Sequence, residues 1–136
     1  MTELSYLIRK RADLSNEQFK SACARYEAFL MASAEALGIK EARVQQSLET
    51  ICEKCFSGQR KLDENRFHGR ITLRWDSLDD YVAGAGSAAG IAAMDALVAK
   101  EKGFIDLGKS QALFLEDSRE SLLGNESQLR SQILSS

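Results

Sequence analysis

The stretch RYEAFL, residues 25–30, places a single carboxylate, Glu27, in a run that is otherwise rich in apolar and aromatic side chains. A glutamate in this position is either a solvated residue at the edge of a helix or the acid/base group of a small-molecule site. If Glu27 faces an apolar cavity, desolvation raises its pKa toward neutrality, where a carboxyl group exchanges protons readily. Both interpretations stay open, and Glu27 is the first candidate catalytic residue.

Two further side chains are candidates for proton chemistry. His68 is the only histidine of the chain, and its imidazole titrates near neutral pH unless it serves as a structural hydrogen bonder. Tyr6 can donate a hydrogen bond to a carbonyl or enolate oxygen, or it can simply pack in the core. A cavity near these groups would be lined by candidate substrate-binding residues that are also typical core residues: Tyr26, Leu30, Trp75 and Phe104.

The cysteines do not make a convincing site. Cys52 and Cys55 form a CxxC pair, but a zinc site needs two more ligands, and only Cys23 and His68 remain to supply them. A redox CxxC is expected at a strand-to-helix junction, whereas this pair is predicted near the end of a strand. We therefore expect ordinary thiols, no metal and a reducing compartment.

The elements that must position these residues follow from periodicity and capping residues. Alternating apolar residues predict strands, Ser15 with Gln18 predicts a capping box that starts the first helix, and Gly38 closes that helix. Ser77 starts a second helical region, which is interrupted at residues 84–90, resumes after Ser87 and ends at Gly103. The predicted strands are residues 4–11, 42–51, 66–76 and 111–117, with a loop over residues 52–65 and a polar extension over residues 118–136.

The glycines of GAGSAAG, residues 84–90, resemble a phosphate-binding loop only superficially. A dinucleotide fingerprint follows a strand and opens a helix, whereas this segment follows SLDDYVA, which already has a helical pattern. We interpret it as a break between two helical pieces.

Charge and hydropathy exclude other classes of protein. The chain has 136 residues, with 18 basic and 20 acidic side chains and a net charge of −2, so the basic surface of a nucleic-acid binder is missing. The N-terminal segment lacks an apolar signal core, and no apolar run is long enough to cross a bilayer. We expect a soluble, cytoplasmic protein with no nucleic-acid or membrane partner.

The order of elements is βαββαβ, which predicts an α+β, ferredoxin-like domain over residues 1–117. Its four-stranded antiparallel sheet would carry both helices on one face. The other face would expose either Trp75 with Leu73 or Leu113 with Leu115, depending on the register of the strands. An exposed apolar patch usually marks an interface. Two such sheets packed face to face would form a dimeric α+β barrel.

Three segments resemble EthD-like domains of the dimeric α+β barrel superfamily: YLIRKRADLSNEQFKSACARYEAFL, HGRITLRWDSLDDYVAG and EKGFIDLGKSQALFLED. The resemblance implies a homodimer with a small-molecule cavity between sheet and helices in each subunit. Family members commonly carry His-x-Pro-Leu on the first helix, and this pattern falls on residues 27–30, where Glu27 replaces the histidine and the proline is missing.

The resemblance implies a tailoring enzyme that acts on a hydrophobic, polyketide-like metabolite without metal or organic cofactor. The expected chemistry is proton transfer of the cyclase, dehydratase or decarboxylase type. The alternative is a non-catalytic dimeric protein that binds a small ligand and has lost the family histidine.

Overall fold

The computed structural model describes residues 1–48, 51–62 and 66–116. Four antiparallel strands form one sheet with the spatial order β2-β3-β1-β4, which confirms the α+β fold and its four-stranded sheet. The elements, in chain order, are β1 (Thr2–Ile8), α1 (Asn16–Leu37), β2 (Glu41–Gln46), α2 (Ile51–Arg60), β3 (Gly69–Trp75), α3 (Leu78–Gly86), α4 (Ala88–Glu101) and β4 (Gln111–Glu116), with a short 3-10 turn at Leu107–Lys109.

The first helix begins and ends where its capping residues predict. The Ser15 hydroxyl accepts a hydrogen bond from the backbone N–H of Gln18, and the Gln18 side chain accepts one from the backbone N–H of Ser15. This capping box satisfies two N–H groups that the first turn leaves unpaired. At the other end, Gly38 adopts a left-handed conformation with φ 71°, which a residue without Cβ reaches at little cost.

The segment after β2 differs from its prediction. The strand ends at Gln46, and residues 51–60, which were expected to finish a strand and enter a loop, form the helix α2. The apolar side chains Ile51, Cys52, Cys55 and Phe56 recur at helical spacing, and the Arg60 guanidinium lies 3.7 Å from the centroid of the Phe56 ring. The polar composition of residues 52–65 and the glycine at position 58 favoured a loop and concealed this helical period.

The second helical region is broken where the glycines predicted a break. Ser77 caps α3 through the N–H of Asp80, and Ser87 caps α4 through the N–H of Gly90. Regular helix ends at Glu101, two residues before the predicted stop at Gly103. No single helix in the described part of the chain is long and apolar enough to span a membrane, and α3 and α4 meet that criterion only jointly, across an 87° bend.

The core lies between the helices and one face of the sheet. Trp75 is 0% exposed, and its indole N–H donates a 2.9 Å hydrogen bond to the carbonyl oxygen of Leu37 in α1. Leu73 lies on this same face, so the register places Leu113 and Leu115 on the opposite, open face, where they are 54% and 43% exposed. Of the two predicted alternatives for the exposed apolar patch, Leu113 with Leu115 is therefore correct.

Candidate functional site

A buried carboxylate lies between the helical layer and the sheet. Glu101, at the end of α4, is only 7% exposed. It follows Gly90 and Leu97 along the buried side of α4, and Phe104 continues that side into the following turn. Because a buried charge is costly unless it is hydrogen-bonded, the partners of Glu101 decide what this residue can do.

Two tyrosines supply those partners from two different elements. The Tyr26 hydroxyl, on α1, donates a 2.8 Å hydrogen bond to Oε2 of Glu101. The side chain of Tyr6, on β1, lies close enough to Glu101 that each group shifts the pKa of the other. We call Tyr6, Tyr26 and Glu101 the carboxyl–tyrosine cluster. It connects strand β1, helix α1 and helix α4 through side chains alone.

The pKa values of the cluster reflect its burial. Desolvation raises the pKa of Glu101, and the hydrogen bonds from Tyr26 and Tyr6 oppose that rise because they stabilise the ionised carboxylate. Burial also raises the pKa of both tyrosines, and the neighbouring charge of Glu101 raises them further. The tyrosines therefore remain protonated donors, and Glu101 is the group of the cluster that exchanges its proton at the lowest pH.

Aromatic rings enclose one side of the cluster. The Tyr26 and Phe104 rings have centroids 5.3 Å apart, and the Phe19 and Phe104 rings are 6.0 Å apart. The ring of Tyr26 thus packs in an aromatic group, while burial of Glu101 is the main cause of its raised pKa.

A surface cleft reaches the cluster from outside. It has a volume of about 220 Å³, lies between α1 and the turn after α4, and is lined by Ala22, Arg25, Tyr26, Lys100, Gly103 and Phe104. A second cleft of about 370 Å³ shares Ala22, Arg25 and Gly103 with it. Tyr26 is therefore both a lining residue of the cleft and the hydrogen-bond donor to Glu101.

Three of the residues predicted for the site come together here. Tyr6 and Tyr26 meet at Glu101, and Phe104 lines the cleft. Leu30 and Trp75, both predicted to bind substrate, are fully buried in the core.

Glu27 and His68 lie elsewhere. The side chain of Glu27 is exposed on α1 and does not enter the interior, so the expectation that it faces an apolar cavity is not met within a single chain. His68 precedes β3, and its Nδ1 accepts a 2.9 Å hydrogen bond from the backbone N–H of Lys10. Its ring lies 6.1 Å from that of Phe19. These contacts hold the segment after β1 against the residues that precede β3.

Sequence reasoning missed Glu101. The signal was present, because Glu101 follows Leu97 by four residues and precedes Phe104 by three, which places it on the apolar side of the helix. The pattern of IAAMDALVAKEKGF predicts a helix, and the position of its single glutamate on the apolar side is the signal that indicates a buried carboxyl group.

The cysteines are also placed differently from the prediction. Cys52 and Cys55 are exposed on α2, away from the end of a strand, and Cys23 is buried. Among the described residues, no group of three or more histidine, cysteine or acidic side chains is arranged to hold a metal ion.

Comparisons with known proteins bear on the fold. No protein-family model and no curated protein matches the sequence. A dimeric protein with a ferredoxin-like fold from Bacteroides fragilis superposes with a TM-score of 0.56 at 13% identity, over 85% of this chain and 95% of its own. The chain has a ferredoxin-like fold.

Two other solved structures agree with this fold assignment. A protein from Arabidopsis thaliana has a TM-score of 0.56 at 13% identity, with 90% of this chain and 100% of its own covered. A candidate antibiotic biosynthesis monooxygenase from Nitrosomonas europaea has a TM-score of 0.51 at 13% identity, with 88% and 100% covered. At this identity the similarity establishes the fold alone.

Proposed function

We propose that this protein is an enzyme that transfers a proton to or from a small, apolar, carbonyl-containing metabolite. Tyr26 is the group that contacts the substrate, and Glu101 acts through it. One observation carries the proposal: a buried carboxyl group is hydrogen-bonded to a tyrosine that is among the residues lining a cleft. A perturbed titratable group beside a cleft is the usual physical signature of acid/base chemistry.

The cluster can deliver a proton in the following way. When Glu101 is protonated, its O–H donates to the Tyr26 oxygen, and the Tyr26 hydroxyl becomes free to donate to a carbonyl oxygen in the cleft. As that oxygen gains charge, the proton of Tyr26 moves to it and the proton of Glu101 moves to Tyr26. The reverse sequence returns the proton to Glu101. The raised pKa of Glu101 keeps a protonated fraction available closer to neutral pH than an exposed glutamate would.

The reaction class comes from the resemblance to EthD-like domains, which favours cyclisation, dehydration or decarboxylation. The candidate monooxygenase among the structural neighbours supports small-molecule chemistry on this fold as an analogy only. The role that the resemblance gave to Glu27 passes to Glu101 in this proposal, because Glu27 is exposed and Glu101 is buried.

We further propose that the protein acts as a homodimer through the open face of its sheet. Leu113 and Leu115 are exposed on that face, and the buried Thr72 hydroxyl on the same face has no hydrogen-bond partner among the described residues. Solved structures with this fold from Bacteroides fragilis, Thermobifida fusca and Jannaschia are described as dimeric.

The experiment measures exchange of the α-protons of β-tetralone, an enolisable apolar ketone, in deuterium oxide by proton NMR. The parent protein is expected to accelerate exchange, and Tyr26→Phe and Glu101→Gln are each expected to lose about 10²-fold or more of that acceleration. Glu27→Gln is the matched control and is expected to retain it.

Loss of exchange in Glu27→Gln with retention in Glu101→Gln would return the catalytic role to Glu27. If the parent binds the ketone without accelerating exchange, the non-catalytic binding protein becomes the better account.

A further inference from the structure

We propose that the cleft beside the carboxyl–tyrosine cluster binds an apolar carboxylic acid, with Arg25 and Lys100 holding the carboxylate at its rim. This inference rests on the proposed function, since it names the substrate class of the same site. It assigns to these two cations a role that neither the sequence pattern nor the fold indicates.

The composition of the cleft favours an anionic ligand. Of the six residues that line it, Arg25 and Lys100 are basic and none is acidic. The chain as a whole has a net charge of −2, so this is a local excess of positive charge. The adjoining cleft has one acidic lining residue, Glu17, which lies two helical turns before Arg25 on α1.

Neither cation is neutralised by an ion pair within the part of the chain that the structure describes. Within residues 1–48, 51–62 and 66–116, the ion pairs involve Arg11, Arg66 and Arg74. The Lys100 ammonium instead lies 4.5 Å from the centroid of the Phe29 ring, which positions it without cancelling its charge. Both basic side chains are therefore available to an anion.

The cleft combines apolar lining residues with two basic ones. Ala22, Tyr26 and Phe104 are the largely buried, apolar part of the lining, and the two cations line the same cleft. A guanidinium group binds a carboxylate through two parallel N–H donors. The ligand that fits has an apolar body against the rings and a carboxylate at the rim, which leaves its reactive carbonyl near Tyr26.

The test uses β-naphthoate as the probe and its neutral amide, β-naphthamide, as the matched ligand. Binding is followed by chemical-shift changes of the backbone amides of Ala22, Gly103 and Phe104. The parent is expected to bind the acid about tenfold more tightly than the amide, because charge-assisted hydrogen bonds are roughly twice as strong as neutral ones. The double variant Arg25→Ala/Lys100→Ala is expected to lose this preference while still binding the amide.

Lys20→Ala is the control, because Lys20 is exposed on α1 and does not line the cleft. Equal affinity for acid and amide in the parent, no binding of the acid at millimolar concentration, or an equal loss in Lys20→Ala would each overturn the proposal. Binding is measured without turnover, so its outcome is separate from that of the proposed function.

Discussion

At the scale of single residues, the buried Glu101 is the feature that most needs a physical explanation. A carboxylate that is removed from water loses hydration energy, and two tyrosine hydroxyls restore only part of it. The cluster therefore holds an acid whose neutral form is favoured more than it would be on the surface. This property allows Glu101 to act as a proton donor and acceptor. The ionised form of Glu101 destabilises the folded protein.

The first prediction concerns the effect of pH on stability. The folded-state pKa of Glu101 is raised above its ordinary value of 4.5, so its stabilising contribution is fully present below that pH and is lost as the pH rises through the folded pKa. The free energy of unfolding in urea is measured for the parent and for Glu101→Gln across a pH series. As the pH rises, the parent is expected to lose stability relative to the variant. Parallel pH profiles for the two proteins would contradict this, and Glu27→Gln serves as the exposed control.

The second prediction concerns thiol reactivity. Burial, with a smaller contribution from the nearby charge of Glu27, raises the pKa of the Cys23 thiol to about 11. Cys52 and Cys55 are exposed, so Ellman's reagent is expected to modify two thiols quickly and Cys23 only after unfolding. Cys23→Ser is expected to leave the fast phase unchanged. A fast phase of three thiols in the parent would show that Cys23 is accessible.

At the scale of elements, two glycines set how closely the broken helix packs. A Cβ added at Gly84 would overlap the backbone carbonyl of Leu37 in α1, and one added at Gly90 would overlap the carbonyl of Gly84. The break between α3 and α4 therefore depends on two close backbone contacts that leave no room for a Cβ at Gly84 or Gly90.

The third prediction follows from these contacts. Gly90→Ala is expected to destabilise the protein by about 1–3 kcal/mol, because the backbone must shift to accept the methyl group. Thermal unfolding measures this as a lower Tm. Gly86→Ala is the matched control, since an added Cβ there meets nothing within 4 Å, and it is expected to be neutral or slightly stabilising. Equal effects of the two substitutions would refute the packing argument.

The elements also show what the sequence can and cannot predict. The starts of α1, α3 and α4 were predicted correctly because Ser15, Ser77 and Ser87 cap backbone N–H groups three residues further along the chain. The end of α1 was predicted correctly because Gly38 adopts the left-handed conformation that closes a helix. The helix α2 was missed because residues 52–65 are polar and contain Gly58, which is typical of a loop. The burial of Glu101 depends on how α4 packs against α1 and the sheet, which capping and periodicity do not encode.

At the scale of the whole molecule, the open face of the sheet is only partly apolar. Leu113 and Leu115 lie on the edge strand β4 of this face. On the same face, the other three strands carry Arg74 and its carboxylate partners Glu3 and Glu41. The alternation of the sequence predicted two sides to the sheet, and the pairing of the strands decided which residues face outward. The predicted extension over residues 118–136 lies outside the described residues.

The fourth prediction tests the homodimer. Sedimentation of the parent is expected to give the mass of two chains, and Leu113→Lys is expected to shift it toward one chain, because it places a charge in the proposed interface. Val82→Lys is the control, since Val82 is equally exposed but lies on α3, in the helical layer. A parent that sediments as a single chain would contradict the dimer.

The central claim is that the whole fold holds Glu101 as a buried acid whose proton reaches the cleft through Tyr26. A pH titration of Glu101 by carbon NMR, assigned with Glu101→Gln, tests it most directly. We predict a pKa above the ordinary 4.5 in the parent and a further rise in Tyr26→Phe, because that variant loses a hydrogen bond that favours the ionised form. A Glu101 that titrates at or below 4.5, unchanged in Tyr26→Phe, would contradict the account.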